Sequence, residues 1–87
     1  MAYLLEFTSA ADQQFRKLPK NVQARLKPHI DALTQNPRPS GIEKLKGEEN
    51  VFRLRVGDYR VLYEVHDKVL LVLVVKIGHR REVYRKR

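Results

Sequence analysis

The chain contains no cysteine and no tryptophan, and only one methionine. Without cysteine it can build neither a disulfide framework nor a thiolate metal site. With 87 residues, one domain spanning 1–87 is the natural reading. A domain this short buries a limited share of its surface and has no disulfide to compensate, so a stabilising partner would be useful. Long apolar runs are also missing. The longest, Val69 to Val75, is far too short to span a bilayer. Met1 to Thr8 alternates around Glu6 instead of pairing a basic stretch with an apolar one, so no signal peptide is expected. The expectation is a soluble, cytoplasmic protein without membrane contact. His29, His66 and His79 lie far apart, and the acids show no ligand spacing, so no metal site and no small-molecule cofactor are expected. A Gly-rich phosphate loop and a Ser/His/Asp set are likewise absent.

What the chain does have is positive charge. Lys and Arg number 18 against 10 Asp and Glu, a net of +8. Residues 1–50 hold eight Lys/Arg and six Asp/Glu, a net of +2, whereas residues 51–87 hold ten and four, a net of +6. A positive field concentrated in one half attracts polyphosphates, chiefly nucleic acid. Hydrophobic residues at 43% still suffice for one core.

Read in order, Ala2 to Thr8 alternates as a strand. Ser9 then serves as N-cap of a short helix carrying Ala11, Phe15 and Leu18 on one face and ending at Pro19. A second helix is expected from about Lys20 to Gln35, with Val22, Leu26, Ile30 and Leu33 as its stripe. Pro28 should kink it or shift its start. Asn36 to Gly41 is a loop. Ile42 to Asn50 reads as mostly irregular, with Ile42 and Leu45 pinned to the core. From Val51 the period becomes two: a strand Val51 to Val56, a Gly57-Asp58 turn of type II′ or I′, a return strand Tyr59 to His66, an Asp67-Lys68 turn, and an interior strand Val69 to Ile77 broken by Gly78. Arg80 to Arg87 is a charged tail, a helical turn or a strand extension. The fold class is α+β: an N-terminal strand and helical hairpin packed on an antiparallel β-meander.

The two-residue turn fixes the register. Val56 opposes Tyr59, Arg55 opposes Arg60, Leu54 opposes Val61 and Phe52 opposes Tyr63. One face, Phe52, Leu54, Val56, Tyr59, Val61 and Tyr63, belongs to the core. The other carries Arg53, Arg55 and Arg60, with the Cβ atoms of Arg55 and Arg60 about 5 Å apart. Like charges directly opposed are destabilising, and the nearest acids in this reading are only Asp58 and Glu64. An anionic ligand explains the convergence better than a solvated face. RNA fits better than DNA, because no helix-turn-helix or continuous basic helix is present, whereas arginines and tyrosines on a sheet suit splayed single strands. His79 is a candidate for acid–base work near the cluster. Lys44 and Lys46 are candidates for added phosphate contacts.

These residues resemble the RelE family within the wider RelE/ParE toxin group. The resemblance rests on Lys44-Leu45-Lys46-Gly47, Phe52-Arg53-Leu54-Arg55, Tyr59-Arg60-Val61-Leu62-Tyr63-Glu64-Val65, Val75-Lys76-Ile77-Gly78-His79-Arg80 and Glu82-Val83-Tyr84. It implies a RelE/ParE-like fold and a toxin that enters the ribosomal A site and cuts mRNA without a metal, by attack of the 2′-hydroxyl on the adjacent phosphate. It also implies a RelB-like antitoxin partner. Carried over, Arg53 and Arg55 match basic positions, Arg60 the phosphate-binding arginine, Arg80 a second arginine at the leaving group (with Arg81 as its substitute) and Tyr84 the C-terminal tyrosine. Arginine stays protonated and cannot act as a base. The base is therefore open between Tyr84, His79 and the ordering supplied by the ribosome. Two further functions remain open: a ParE-like gyrase poison and a non-catalytic RNA-binding module.

Overall fold

The computed structural model describes residues 2–81. Five strands form one mixed sheet, β1 (Leu4–Phe7), β2 (Glu43–Lys44), β3 (Val51–Val56), β4 (Tyr59–His66) and β5 (Leu71–His79), in the order β1-β5-β4-β3-β2. Helices α1 (Ser9–Arg16) and α2 (Lys20–Ala32) cover one face. The meander β3-β4-β5 is antiparallel as the sequence predicts. The N-terminal strand does not sit apart on it. β1 completes the sheet as an edge, parallel to β5.

Thr8, and not Ser9, caps α1. Its backbone is extended, and its hydroxyl accepts the amide of Ala11 at 3.1 Å, which leaves Ser9 inside the helix. The turn to α2 is closed by Gln23, whose side-chain amide donates to the Leu18 carbonyl at 2.9 Å, one of the carbonyls left over where α1 stops. α2 runs through Pro28. Pro28 and Ala24, four residues earlier, are both exposed, so the carbonyl deprived of its partner faces water. The helix ends three residues before the predicted limit, in turns bonded back to Ala32.

Leu26, Ile30 and Leu33 from the second helical segment meet Phe52, Leu54, Val56, Val61, Tyr63, Val65, Val72, Val74 and Ile77 from the sheet in a single core. The register of β3 on β4 is the predicted one, from Val56 opposite Tyr59 to Phe52 opposite Tyr63. Gly57 alone of the turn pair has a positive φ, +60°, which selects type II′.

Three further expectations fail in the sheet. Glu43–Lys44 is not irregular but pairs with Arg53 and Phe52 as a two-residue edge strand. β5 starts at Leu71, because Asp67–Val69 forms a 3₁₀ turn and Leu70 adopts a left-handed conformation. Gly78 does not break β5: it pairs with Arg60, and the strand continues to His79. A bulge offsets β4 and β5 between Leu62 and Tyr63, where Leu62 pairs with Lys76 and Tyr63 with Val74, leaving Val75 as the extra residue. Beyond the end of β1, the side-chain oxygen of Gln14 on α1 accepts the Ile77 amide at 2.8 Å and satisfies β5 where no strand flanks it.

The loop between α2 and β2 is fastened twice. The Tyr63 hydroxyl reaches through the core to donate to the Pro37 carbonyl at 2.7 Å. Arg38 forks onto Asp67 at 2.8 and 3.2 Å, its guanidinium 5.4 Å from the Phe52 ring centroid, while the Tyr3 hydroxyl donates to the same carboxylate at 2.6 Å. Arg38, the first cause, and Tyr3 hold the Asp67 carboxyl below its ordinary value. Burial pushes the Tyr63 phenol up to about 12. No described helix is long and apolar enough to cross a membrane.

Candidate nucleic-acid interface

The face of the sheet turned away from the helices carries Arg53 and Arg55 on β3 and Arg60 on β4, as register alone predicts. The three arginines, with Gly41 and Glu43, line a pocket of about 110 Å³. Arg60 is 6% exposed, a burial the sequence did not signal. Its Nη1 donates to the carbonyls of Gly57 and Tyr59, each at 3.0 Å. A buried cation is costly unless hydrogen-bonded, and here the hairpin turn supplies the acceptors. Gly78, its partner on β5, places no side chain beside it on that face. Arg55, directly opposite Arg60, is exposed.

The face is not free of acids. Glu43, from the unpredicted strand β2, forms an ion pair with Arg53. Its carboxyl is held below the ordinary value by the hydrogen bond and charge of Arg53, and then by the charges of Arg60 and Arg55. The sequence reading missed Glu43 because two residues carry no readable period. Its position becomes visible only when β2 pairs.

Other predicted residues divide. Arg80 does not line the pocket, but its amide donates to the Asp58 carbonyl at 2.7 Å, which fixes its backbone at the turn that also holds Arg60. Arg81 follows it, exposed, with its amide on His79 Nδ1 at 3.3 Å. His79 is not brought to the arginines. It pairs with Tyr59, one position out of phase with Arg60, and its ring packs edge-on against the Tyr59 ring at 5.7 Å. Lys44 and Lys46 do not line the pocket either. They border an open groove with Leu45, Gly47, Glu48 and Glu49 beside the β2–β3 connection, since Lys44 pairs with Phe52 and so falls out of phase with Glu43 and Arg53. Tyr84 lies outside the described residues. Among those described, no group of three or more His, Asp or Glu converges as a metal site would require.

Such an arrangement can bind a phosphodiester: fixed guanidinium groups form bidentate, charge-assisted hydrogen bonds to phosphate oxygens and stabilise charge that develops on them. Comparison with known proteins agrees. Residues 5–84 match the family described as ParE toxin of type II toxin-antitoxin system, parDE. The mRNA interferase toxin RelE of Escherichia coli (strain K12) is 35% identical over 88 residues, covering 97% of this chain and 92% of that protein. The structure of the isolated E. coli RelE toxin superposes with a TM-score of 0.82 at 32% identity, covering 95% of this chain and 92% of that one. RelE in the intact E. coli RelBE toxin-antitoxin complex gives 0.81 at 30% identity, covering 90% and 96%. Fold, arginine register and relatives converge, and the chain belongs to the RelE/ParE family of type II toxins.

Proposed function

We propose that this chain is the toxin of a type II toxin–antitoxin system, acting in the cytoplasm as an endoribonuclease that cuts mRNA in the ribosomal A site. The carrying observation is the pocket of Arg53, Arg55 and Arg60 beside the backbone of Arg80, in a chain 35% identical to an mRNA interferase. In this reading the ribosome orders the mRNA so that a 2′-hydroxyl lies in line with its own 3′-phosphate. Arg60, held by the turn carbonyls, clamps the non-bridging oxygens as the phosphorus becomes pentavalent. Arg53 and Arg55 share the charge, and Arg80, with Arg81 next to it, serves the leaving 5′-oxygen. The products are a cyclic phosphate and a 5′-hydroxyl. Such a site needs electrostatic preorganisation and positioning more than covalent participation.

The partner is a RelB-like antitoxin, as relatives are seen in RelB–RelE complexes. An acidic segment that folds on contact would suit the +6 half of the chain.

Purified protein added to ribosomes stalled on a defined message should cut it. Removal of one preorganised donor costs about 10²–10³-fold, so Arg60→Ala and Arg80→Ala should lower the cutting rate by that order. Intact mRNA with folded wild-type protein would refute the reading. The family description by the ParE name keeps a gyrase poison as the second reading, which predicts gyrase-linked DNA breaks on induction with mRNA untouched.

A further inference from the structure

The Gly57-Asp58 turn gathers arginines from distant parts of the chain. Arg60 donates to the carbonyls of Gly57 and Tyr59, and the Arg80 amide donates to that of Asp58. Arg25 reaches the same turn from α2. A Cβ built on Gly57 would lie 3.1 Å from Arg25 Nη1, so the guanidinium rests against the turn where a side chain is missing. Arg60 Nη1 is 3.0 Å from the Gly57 carbonyl, and standard backbone lengths then keep the two Nη1 atoms within about 10 Å of each other.

Arg25 has no counter-charge in this place. On a helix, side chains three and four residues apart are neighbours. For Arg25 these are Asn21, Val22, Pro28 and His29, none of them an acid. Arg16 and Lys27, by contrast, pair with Asp12 and Asp31 one helical turn away. Among the described residues no carboxylate or carbonyl accepts from Arg25, and the turn carbonyls are taken by Arg60 and the Arg80 amide. Arg25 is exposed, and its N–H donors are left to water.

We propose that Arg25 forms a second phosphate subsite, which holds a phosphodiester of the message beside the one held in the arginine pocket. The assignment rests on the nuclease reading above and deepens it. The Arg55–Arg60 pair stands directly inside the Val56–Tyr59 pair that opens the turn, so the pocket lies at the turn end of the hairpin. An RNA strand with a phosphate in the pocket has its neighbouring phosphates within reach of that end. A phosphate chain would bridge the Arg25 and Arg60 guanidinium groups, which otherwise only repel each other. Gly57 serves this arrangement directly, because the missing Cβ is what lets the Arg25 fork lie on the turn.

The contact is remote from the bonds that change. It is made equally before and during the reaction, so it lowers the concentration at which the message is engaged and leaves the rate at saturation alone.

The test is cutting of a message on programmed ribosomes by wild type, Arg25→Ala and Arg25→Lys. The message carries natural phosphodiesters throughout, or one uncharged methylphosphonate linkage moved stepwise to either side of the cut. Arg25→Ala should raise the concentration at half-maximal rate about twofold to fivefold, as loss of an exposed ion pair does. The saturated rate should stay near that of wild type. The variant should also flatten the dependence of log affinity on log salt by about 0.7, the share of one single-strand phosphate. Arg25→Lys should keep the wild-type salt dependence, since lysine binds phosphate as a point charge. For wild type, one neutral linkage near the cut should cost the same factor, and Arg25→Ala should be indifferent to that linkage. All three proteins should melt together, because the side chain is exposed and alanine suits a helix. An Arg25→Ala variant with the wild-type half-maximal concentration overturns the assignment. So does a weakened variant that responds to every neutral linkage as wild type does, because the lost phosphate then belongs to the ribosome's own RNA. If wild type itself leaves the message intact, it is the nuclease reading that fails, and the same comparison read as binding to the programmed ribosomes decides Arg25 by itself.

Discussion

Replacement of Tyr63 by phenylalanine isolates one buried hydrogen bond. The ring would stay, and with it the contact to Phe52 at 5.9 Å between centroids. Only the hydroxyl that donates to the Pro37 carbonyl at 2.7 Å would go. Both residues are buried, so no water stands ready to replace the donor. An acceptor left unsatisfied in the interior costs about 1–3 kcal/mol. In a domain of this size each kcal/mol moves the melting temperature by about 4–8 °C. A Tyr63→Phe variant should therefore melt roughly 4–24 °C lower at neutral pH.

The same phenol predicts the alkaline behaviour. Its folded value, about 12, lies above the ordinary 10.0, so above the ordinary value the unfolded chain gives up the proton while the folded one keeps it. Tyr63 thus contributes stability that is fully present below pH 10 and is lost progressively as pH rises to about 12. Tyr3, pushed up first by its hydrogen bond to Asp67, titrates in the same direction. Deleting the Tyr63 hydroxyl should therefore flatten the alkaline loss without abolishing it. Calorimetry of both proteins across that range is the assay. Equal melting temperatures at neutral pH, or parallel alkaline declines, would refute the account of Tyr63 as a buried anchor.

Other outcomes follow from the same contacts. Asp67→Asn should lose stability at neutral pH, and thermal melts should show a weaker decline in acid. The carboxyl lies below its ordinary value when folded, so its contribution is present above that value and disappears as pH falls through the depressed one. Gly57→Ala should cost about 1 kcal/mol or more, seen as a lower denaturation midpoint, because φ is +60° there and the added Cβ would lie 3.1 Å from Arg25 Nη1. Arg55→Ala should reduce the dependence of log affinity for single-stranded RNA on log salt by about 0.7, as expected for an exposed residue contacting one phosphate. An unchanged slope in a titration would remove Arg55 from the contact surface.

Legibility followed from how local the determining physics is. The β3–β4 register was readable because a two-residue turn with glycine first leaves one solution, and that solution grouped Arg53, Arg55 and Arg60. What the pairing did not disclose was that the turn's own carbonyls would bury Arg60. Thr8 and Ser9 are both competent caps, and only the chain's exit from β1 chooses between them. The parallel pairing of β1 with β5 joins segments more than sixty residues apart, which no period reveals. Glu43 escaped for a related reason. Its strand is created by its neighbour, and its chemistry by charges that are distant in sequence. His79 was drawn in by its position before Arg80, yet strand parity turns it to the other side.

The bulge at Val75 makes β5 two half-strands of opposite phase. On the Lys76 side, alternation is locked to the arginine face, and on the Val74 side to β1 and the helices. Deleting Val75 would remove the bulge and leave one continuous alternation, with Val72, Val74 and Ile77 still on the core face, whereas deleting a paired residue such as Leu73 would turn the first half over, driving Val72 into solvent and Leu71 into the core. Apart from the bulge residue itself, length changes in β5 are therefore tolerable only in pairs of residues. A lineage could lengthen or shorten the half that meets β1 in steps of two while leaving Lys76, Gly78 and the substrate side of the sheet facing as they do now.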